Sequence, residues 1–166
     1  MGTTFIIAQI IGFLAWVILN LSYHRKNTDR ILAFQITGNV FFCLHYYLLG
    51  AYSGLFICFA ETLFDFGYYK TDKDKYLYML SIPVRIFGGL ITYQSVVDVL
   101  PICASLIDGY SLTKKKKIVV VGAIISFMLW VIYDLCVLSF SGAITDGIIM
   151  LNNLFIFLFK YKTLKD

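Results

Sequence analysis

Apolar runs, each about long enough to cross a membrane and separated by short polar breaks, divide the chain into seven segments. They lie near residues 4–22, 31–49, 51–69, 76–93, 96–112, 118–138 and 142–159. About 20 apolar residues span a hydrocarbon core of about 30 Å, so each run predicts a membrane helix. Together the runs use nearly the whole sequence and leave no room for a soluble domain. The third and sixth carry few breakers. The fourth and fifth each contain a proline and ionisable residues, so hydropathy alone leaves them open.

The basic residues decide the matter. Arg25, Lys26 and Arg30 follow the first run, and Lys70, Lys73 and Lys75 follow the third. Lys114, Lys115, Lys116 and Lys117 follow the fifth, and Lys160, Lys162 and Lys165 follow the seventh. The alternate connections carry no Lys or Arg, and only Arg85 stands apart from the clusters. Cytoplasmic loops of membrane proteins collect positive charge, which predicts an N-terminus outside and a C-terminus in the cytoplasm. Removing either doubtful run as a span would carry the last two clusters outside. Seven spans are therefore expected, in an all-α integral membrane protein.

Composition agrees. Of 166 residues, 60% are hydrophobic and 14% charged, more apolar surface than a soluble domain of this size can hide. The net charge of +4 sits in short loop clusters, so no nucleic-acid partner is expected. Met1-Gly2-Thr3-Thr4 lacks a basic n-region, so the first run reads as a retained helix, not a cleaved signal. Cys43, Cys58, Cys103 and Cys136 fall inside apolar runs without CxxC spacing, and His24 and His45 lie in different settings. No metal site, disulfide framework or cofactor is expected.

Two stretches repeat a pattern. Residues 41–54 align with residues 129–142: a helix with aromatics in its second half, a very short turn ending in Ser-Gly, and another apolar helix. Two three-helix units separated by one helix share the same membrane orientation, which makes them parallel repeats. The expected units are 1–70, a linker helix at 71–94, and 95–166 with a short cytoplasmic tail.

With Ala8-Gln9-Ile10-Ile11-Gly12-Phe13, Leu44-His45-Tyr46-Tyr47-Leu48-Leu49-Gly50-Ala51, Leu100-Pro101, Trp130-Val131-Ile132-Tyr133-Asp134 and Leu151-Asn152-Asn153 in view, the sequence resembles the YgjV-type bacterial inner-membrane proteins. That family looks related to the SWEET, SemiSWEET and PQ-loop transporters, which implies a 3+1+3 helix plan. It also implies location in the bacterial cytoplasmic membrane. SWEET-like proteins hold a sugar between an aromatic on the second helix and an Asn on the third helix of each unit, with a proline hinge on the first. By resemblance, Trp130 and Asn152 or Asn153 match that plan, and Pro101 matches the hinge. The first unit departs from it: Phe42 or His45 stands at the aromatic level, Glu61 or Asp65 replaces Asn, and Gln9 stands level with Pro101.

The residues themselves leave readings open. Glu61 and Asp65 share a helical face, suiting a proton-coupled or solute-binding pair, while Glu61 could equally form a structural ion pair with Arg85. Asp65, Asp108 and Asp146 are further candidate partners for Arg85, which at mid-membrane needs an acid or an aqueous cavity. An Asp inside the fifth run makes that helix a poor inserter, to be held by neighbours with its polar face toward protein or water. His45, among aromatics, reads as a packing residue or a solute contact, and Trp130 as a stacking platform or an interfacial anchor. Asn152 and Asn153 are adjacent, so one at most faces a cavity, and alignment with Asp65 favours Asn153. No nucleophile–base pair accompanies the carboxylates, so an enzyme is not expected. The expectation is a carrier of a small polar solute (sugar, nucleoside or vitamin class). The alternative is a non-transporting receptor or assembly factor on the same fold. Homo-oligomerisation is left open.

Overall fold

The computed structural model describes residues 2–23, 28–70 and 75–161. Among them are seven α-helices: α1 (Thr3–Tyr23), α2 (Thr28–Leu49), α3 (Tyr52–Lys70), α4 (Lys75–Ile91), α5 (Val99–Leu112), α6 (Lys116–Cys136) and α7 (Phe140–Ile156). They coincide with the seven apolar runs to within a few residues. A 3-10 turn, Val96–Asp98, leads into α5, and a π-helical turn, Phe157–Tyr161, extends α7. Arg25, Lys26, Lys73, Lys162, Lys165 and His24, with the side chains of Asp65, Lys75 and Lys160, lie outside the described residues.

α1, α6 and the α7 run Phe140–Phe159 are each long and apolar enough to cross a membrane. α5 has 14 residues, about 21 Å at 1.5 Å per residue, so alone it falls short of a hydrocarbon core. Its shortfall traces to Asp98. The Asp98 Oδ2 accepts from the Gln94 and Ser95 amides at 2.8 and 2.7 Å and from Ser95 Oγ at 3.3 Å. That carboxylate therefore organises the entry turn and does not sit at the helix centre. Pro101 follows in the first turn of α5, where its missing N–H has no intrahelical partner to lose. The proline inside a helix is Pro83, in α4.

The helices pack as a closed ring: α1 on α2, α2 on α3, α3 on α5, α5 on α6, α6 on α7, and α7 back on α1. α4 packs chiefly on α3 and α5. Two contacts fasten it to α5: Tyr78 Oη donates to the Leu106 carbonyl at 3.3 Å, and the Arg85 guanidinium donates to the Ser105 carbonyl at 2.6 Å.

Polarity runs from inside to outside in the reverse of a water-soluble fold. Ser53, Ser105, Ser126, Ser139, Ser141, Thr145, His45, Arg85 and Asp134 are buried. Ile10, Phe59, Leu63, Phe87, Ile91 and Phe155 are exposed. Small polar side chains let helices approach closely and hydrogen-bond across the contact, while large apolar ones suit lipid.

α2 and α6 end alike. Gly50 (φ 72°) and Leu138 (φ 61°) take the left-handed conformation. Around them, Ala51 N–H donates to the Tyr46 carbonyl at 3.0 Å, and Ser139 N–H to the Asp134 carbonyl at 2.8 Å. Both are Schellman closures, which stop a helix abruptly and reverse the chain in very few residues. Gly50 and Leu138 are also the positions that the alignment of 41–54 with 129–142 pairs.

Candidate functional site

A cavity of about 800 Å³ opens inside the ring, lined by residues of α1, α2, α3, α5, α6 and α7. Near one end stand Leu112, Lys114 and Lys116, at the α5–α6 connection that carries the lysine run. We call this the basic end. The middle is polar: Gln35 and Asn39 from α2, Glu61 and Thr62 from α3, Asp108 from α5, and Thr145 and Asp146 from α7. At the far end stand aromatic rings, Phe42, Tyr46 and Trp130. Tyr46 and Trp130 stack with centroids 6.0 Å apart and planes at 26°. Trp130 also meets Tyr133 edge-on at 5.8 Å.

Beyond these rings a set of hydrogen bonds, most of them buried, joins the first half of the chain to the second. Tyr46 Oη donates to Asp134 Oδ1 at 2.9 Å. The Gly54 amide, at the start of α3, donates to Tyr133 Oη at 2.9 Å. His45 Nε2 lies 2.8 Å from Ser139 Oγ, and its Nδ1 lies 2.7 Å from the Ala8 carbonyl. Ser53 Oγ donates to the Asp98 carbonyl at 3.2 Å. Gln9 grips the α6–α7 turn, its Nε2 donating to the Leu138 carbonyl at 2.8 Å and its Oε1 accepting from Ser141 N–H at 3.0 Å. We call this the seal. His45, Tyr133 and Asp134 are fully buried in it. Buried polar groups held this way are costly to separate, because each lost partner leaves a desolvated donor or acceptor.

The cavity collects Trp130, Phe42 and Glu61 from the residues expected by sequence. His45 belongs to the seal; its ring is spent on Ala8 and Ser139. Asn152 is exposed on the outside of α7, and Asn153 is half-buried with its amide donating to the Ile149 carbonyl of its own helix at 2.9 Å. Neither lines the cavity. α7 instead contributes Asp146 and Thr145, about two turns earlier and on the inward face. The described contacts of Arg85 run to α5, where it also interacts electrostatically with Asp108. Glu61 interacts with Asp146 across the cavity. The cavity residues that sequence reasoning passed over, Gln35, Asn39, Tyr46 and Asp146, are polar or amphipathic groups inside apolar runs. Their polarity is a signal in the sequence, but the face each occupies is not. Among the described residues no cluster of metal-ligating side chains is present.

A model of the family Imp-YgjV, described as a bacterial inner membrane protein, matches residues 6–163. No curated protein and no solved structure matches the chain.

Proposed function

The chain belongs to the Imp-YgjV family of bacterial inner membrane proteins, and we propose that it carries a small polar solute across that membrane by alternating access. The observation that carries this reading is the cavity: flanked by lysines at the basic end, lined from six helices, and closed at its far end by hydrogen bonds between the two halves of the chain. Once water enters, each hydrogen bond of that closure is exchanged for one to water at a small net cost.

In this reading all seven helices span, and the basic end faces the cytoplasm because the lysine and arginine clusters gather there. α1–α3 and α5–α7 form two parallel units with α4 as the linker, a plan in which solute binds between the repeats. The structure then corresponds to the inward-open state. Rocking one unit against the other parts the seal and closes the basic end. A volume of about 800 Å³ falls within the range of small-molecule sites. Glu61, Asp146, Asn39 and Gln35 offer hydrogen-bond groups to a polyol or nucleoside, and the Tyr46–Trp130 pair offers ring faces for stacking.

Two-sided accessibility tests the proposal whatever the solute is. Asn39→Cys is placed in a background with the exposed Cys103 and Cys136 changed to Ser, and labelled with a membrane-impermeant maleimide in vesicles of both orientations. Labelling from both faces, above the same background without Asn39→Cys, is expected of a carrier. Labelling from the basic face alone overturns the proposal and favours the receptor or assembly-factor reading.

A further inference from the structure

Proton counting at the seal leads to a second site. The Ala8 carbonyl can only accept, so His45 Nδ1, 2.7 Å away, carries a hydrogen. If His45 is neutral, its Nε2 has only a lone pair, and Ser139 Oγ at 2.8 Å must donate to it. Ser139 has one hydroxyl proton. Asp134 is close enough to interact with that hydroxyl, and an added Cβ on Gly142 would collide with Ser139 Oγ and Asp134 Oδ2 together. Asp134 Oδ1 is taken by Tyr46, while Oδ2 is buried without a hydrogen-bond partner.

One extra proton satisfies the whole chain. On Asp134 Oδ2 it donates to Ser139 Oγ, which donates to His45 Nε2. The same proton inventory also fits an imidazolium: Nε2–H donates to Ser139 Oγ, and the hydroxyl donates to an Asp134 carboxylate. The two forms interconvert by two proton shifts, with none gained or lost. Remove one proton and Ser139 can serve only one neighbour, leaving the other facing a lone pair in a dry site.

We propose that the sealed end binds one proton, held jointly by His45 and Asp134 through Ser139, and releases it to water when the seal parts. This rests on the carrier reading for its purpose: the proton is the coupling ion or the trigger of that cycle. Other titratable groups face the chain from the elements around it. α2 and α6 contribute Tyr46 and Tyr133, the entry turn of α5 contributes Asp98, and α7 contributes Asp146, whose like charge interacts with Asp134. Glu61 and Cys58 of α3 act on Asp146 and Tyr46 respectively, and α1 presents the Ala8 carbonyl. Asp98 already accepts three hydrogen bonds within its own turn. The closed form holds the extra proton, so acid favours closure and rising pH favours parting.

The test is a distance measurement across the seal in the full-length protein in lipid nanodiscs. Spin labels go on Tyr52→Cys and Phe140→Cys, both on exposed side chains at the starts of α3 and α7, in the Cys103→Ser, Cys136→Ser background. A single linked proton changes the closed-to-open ratio by up to about tenfold per pH unit. Between pH 5 and pH 9 the long-distance population is expected to rise, and Asp134→Asn, which donates to Ser139 at every pH, is expected to stay closed throughout. Should Asp134→Asn fail to fold, Ser139→Ala takes its place, expected to lose the pH slope because the two ends are no longer joined. A flat response in the parent protein, or a parent-like slope in either variant, overturns the proposal. Two-sided labelling of Asn39→Cys at fixed pH would survive that failure, whereas failure of the carrier reading would leave labelling from the basic face alone.

Discussion

Tyr46 and Asp134 stand 88 residues apart, the offset at which the two halves of the chain align, and they hydrogen-bond to each other at 2.9 Å. The same offset pairs Phe42 with Trp130 on the cavity's aromatic end and Gly50 with Leu138 at the helix ends. It also pairs His45 with Tyr133, which meet Ser139 just before α7 and Gly54 at the start of α3.

The Tyr46–Asp134 bond predicts a measurable loss. Tyr46→Phe keeps the ring and its stacking on Trp130 but removes a donor to a buried acid. A hydrogen bond to a charged group contributes about 1.5–3 kcal/mol, and one to a neutral group about 1 kcal/mol. Thermal unfolding in detergent is expected to fall by several degrees. An unchanged midpoint would mean the phenol contributes nothing to the seal.

The two left-handed residues should respond oppositely to substitution. An added Cβ on Gly50 meets nothing within 4 Å, so Gly50→Ala tests conformation alone and should destabilise by about 1–2 kcal/mol. Leu138 already bears that strain with a half-exposed side chain. Leu138→Gly should recover up to about 1 kcal/mol. Paired thermal melts of the two variants check the signs.

Arg85 is 2% exposed and belongs to the α4–α5 contact. Arg85→Leu removes the cation that Asp108 interacts with. Breaking a buried charge pair from one side costs about 3–5 kcal/mol, so folded yield should drop sharply. Adding Asp108→Asn should restore part of it, and a double-mutant cycle measures how much. Strict additivity would show that the two side chains act independently.

Asn153 and Asp146 separate the two ways of choosing α7's solute group. Asn153→Ala alters a position off the cavity wall and should leave solute-dependent stabilisation unchanged. Asp146→Asn alters the cavity wall and should abolish it or change its selectivity. A screen of sugars, nucleosides and vitamins by thermal shift on both variants decides, since a ligand that binds the native state raises its stability.

Helix number and extent are legible because apolar runs of span length and basic clusters are properties of the chain itself. The entry to α5 is not: hydropathy counts Val96–Asp98 as helix, whereas the Asp98 carboxylate turns back on the Gln94 and Ser95 amides. Trp130 and Phe42 are reached through the family resemblance, and Glu61 stands out as an acid inside an apolar run. Asp146 and Asn153 lie seven residues apart on one face of α7, so periodicity admits both, and what separates them is where along the helix the cavity lies, which the packing of the other helices decides. The seal is hidden for a related reason. Its members are ordinary in isolation and acquire meaning only when residues 37 to 132 positions apart meet.

Gln9 carries one more consequence. Its amide, in α1, is satisfied by Leu138 and Ser141, 129 and 132 residues downstream. If α1 enters the bilayer ahead of the α6–α7 turn, that amide goes unanswered until the turn arrives, a state the bilayer tolerates poorly. The ring closes from its last corner. A chain halted before that turn would display its incompleteness at its first helix, where surveillance machinery that senses polar groups in the hydrocarbon could read it.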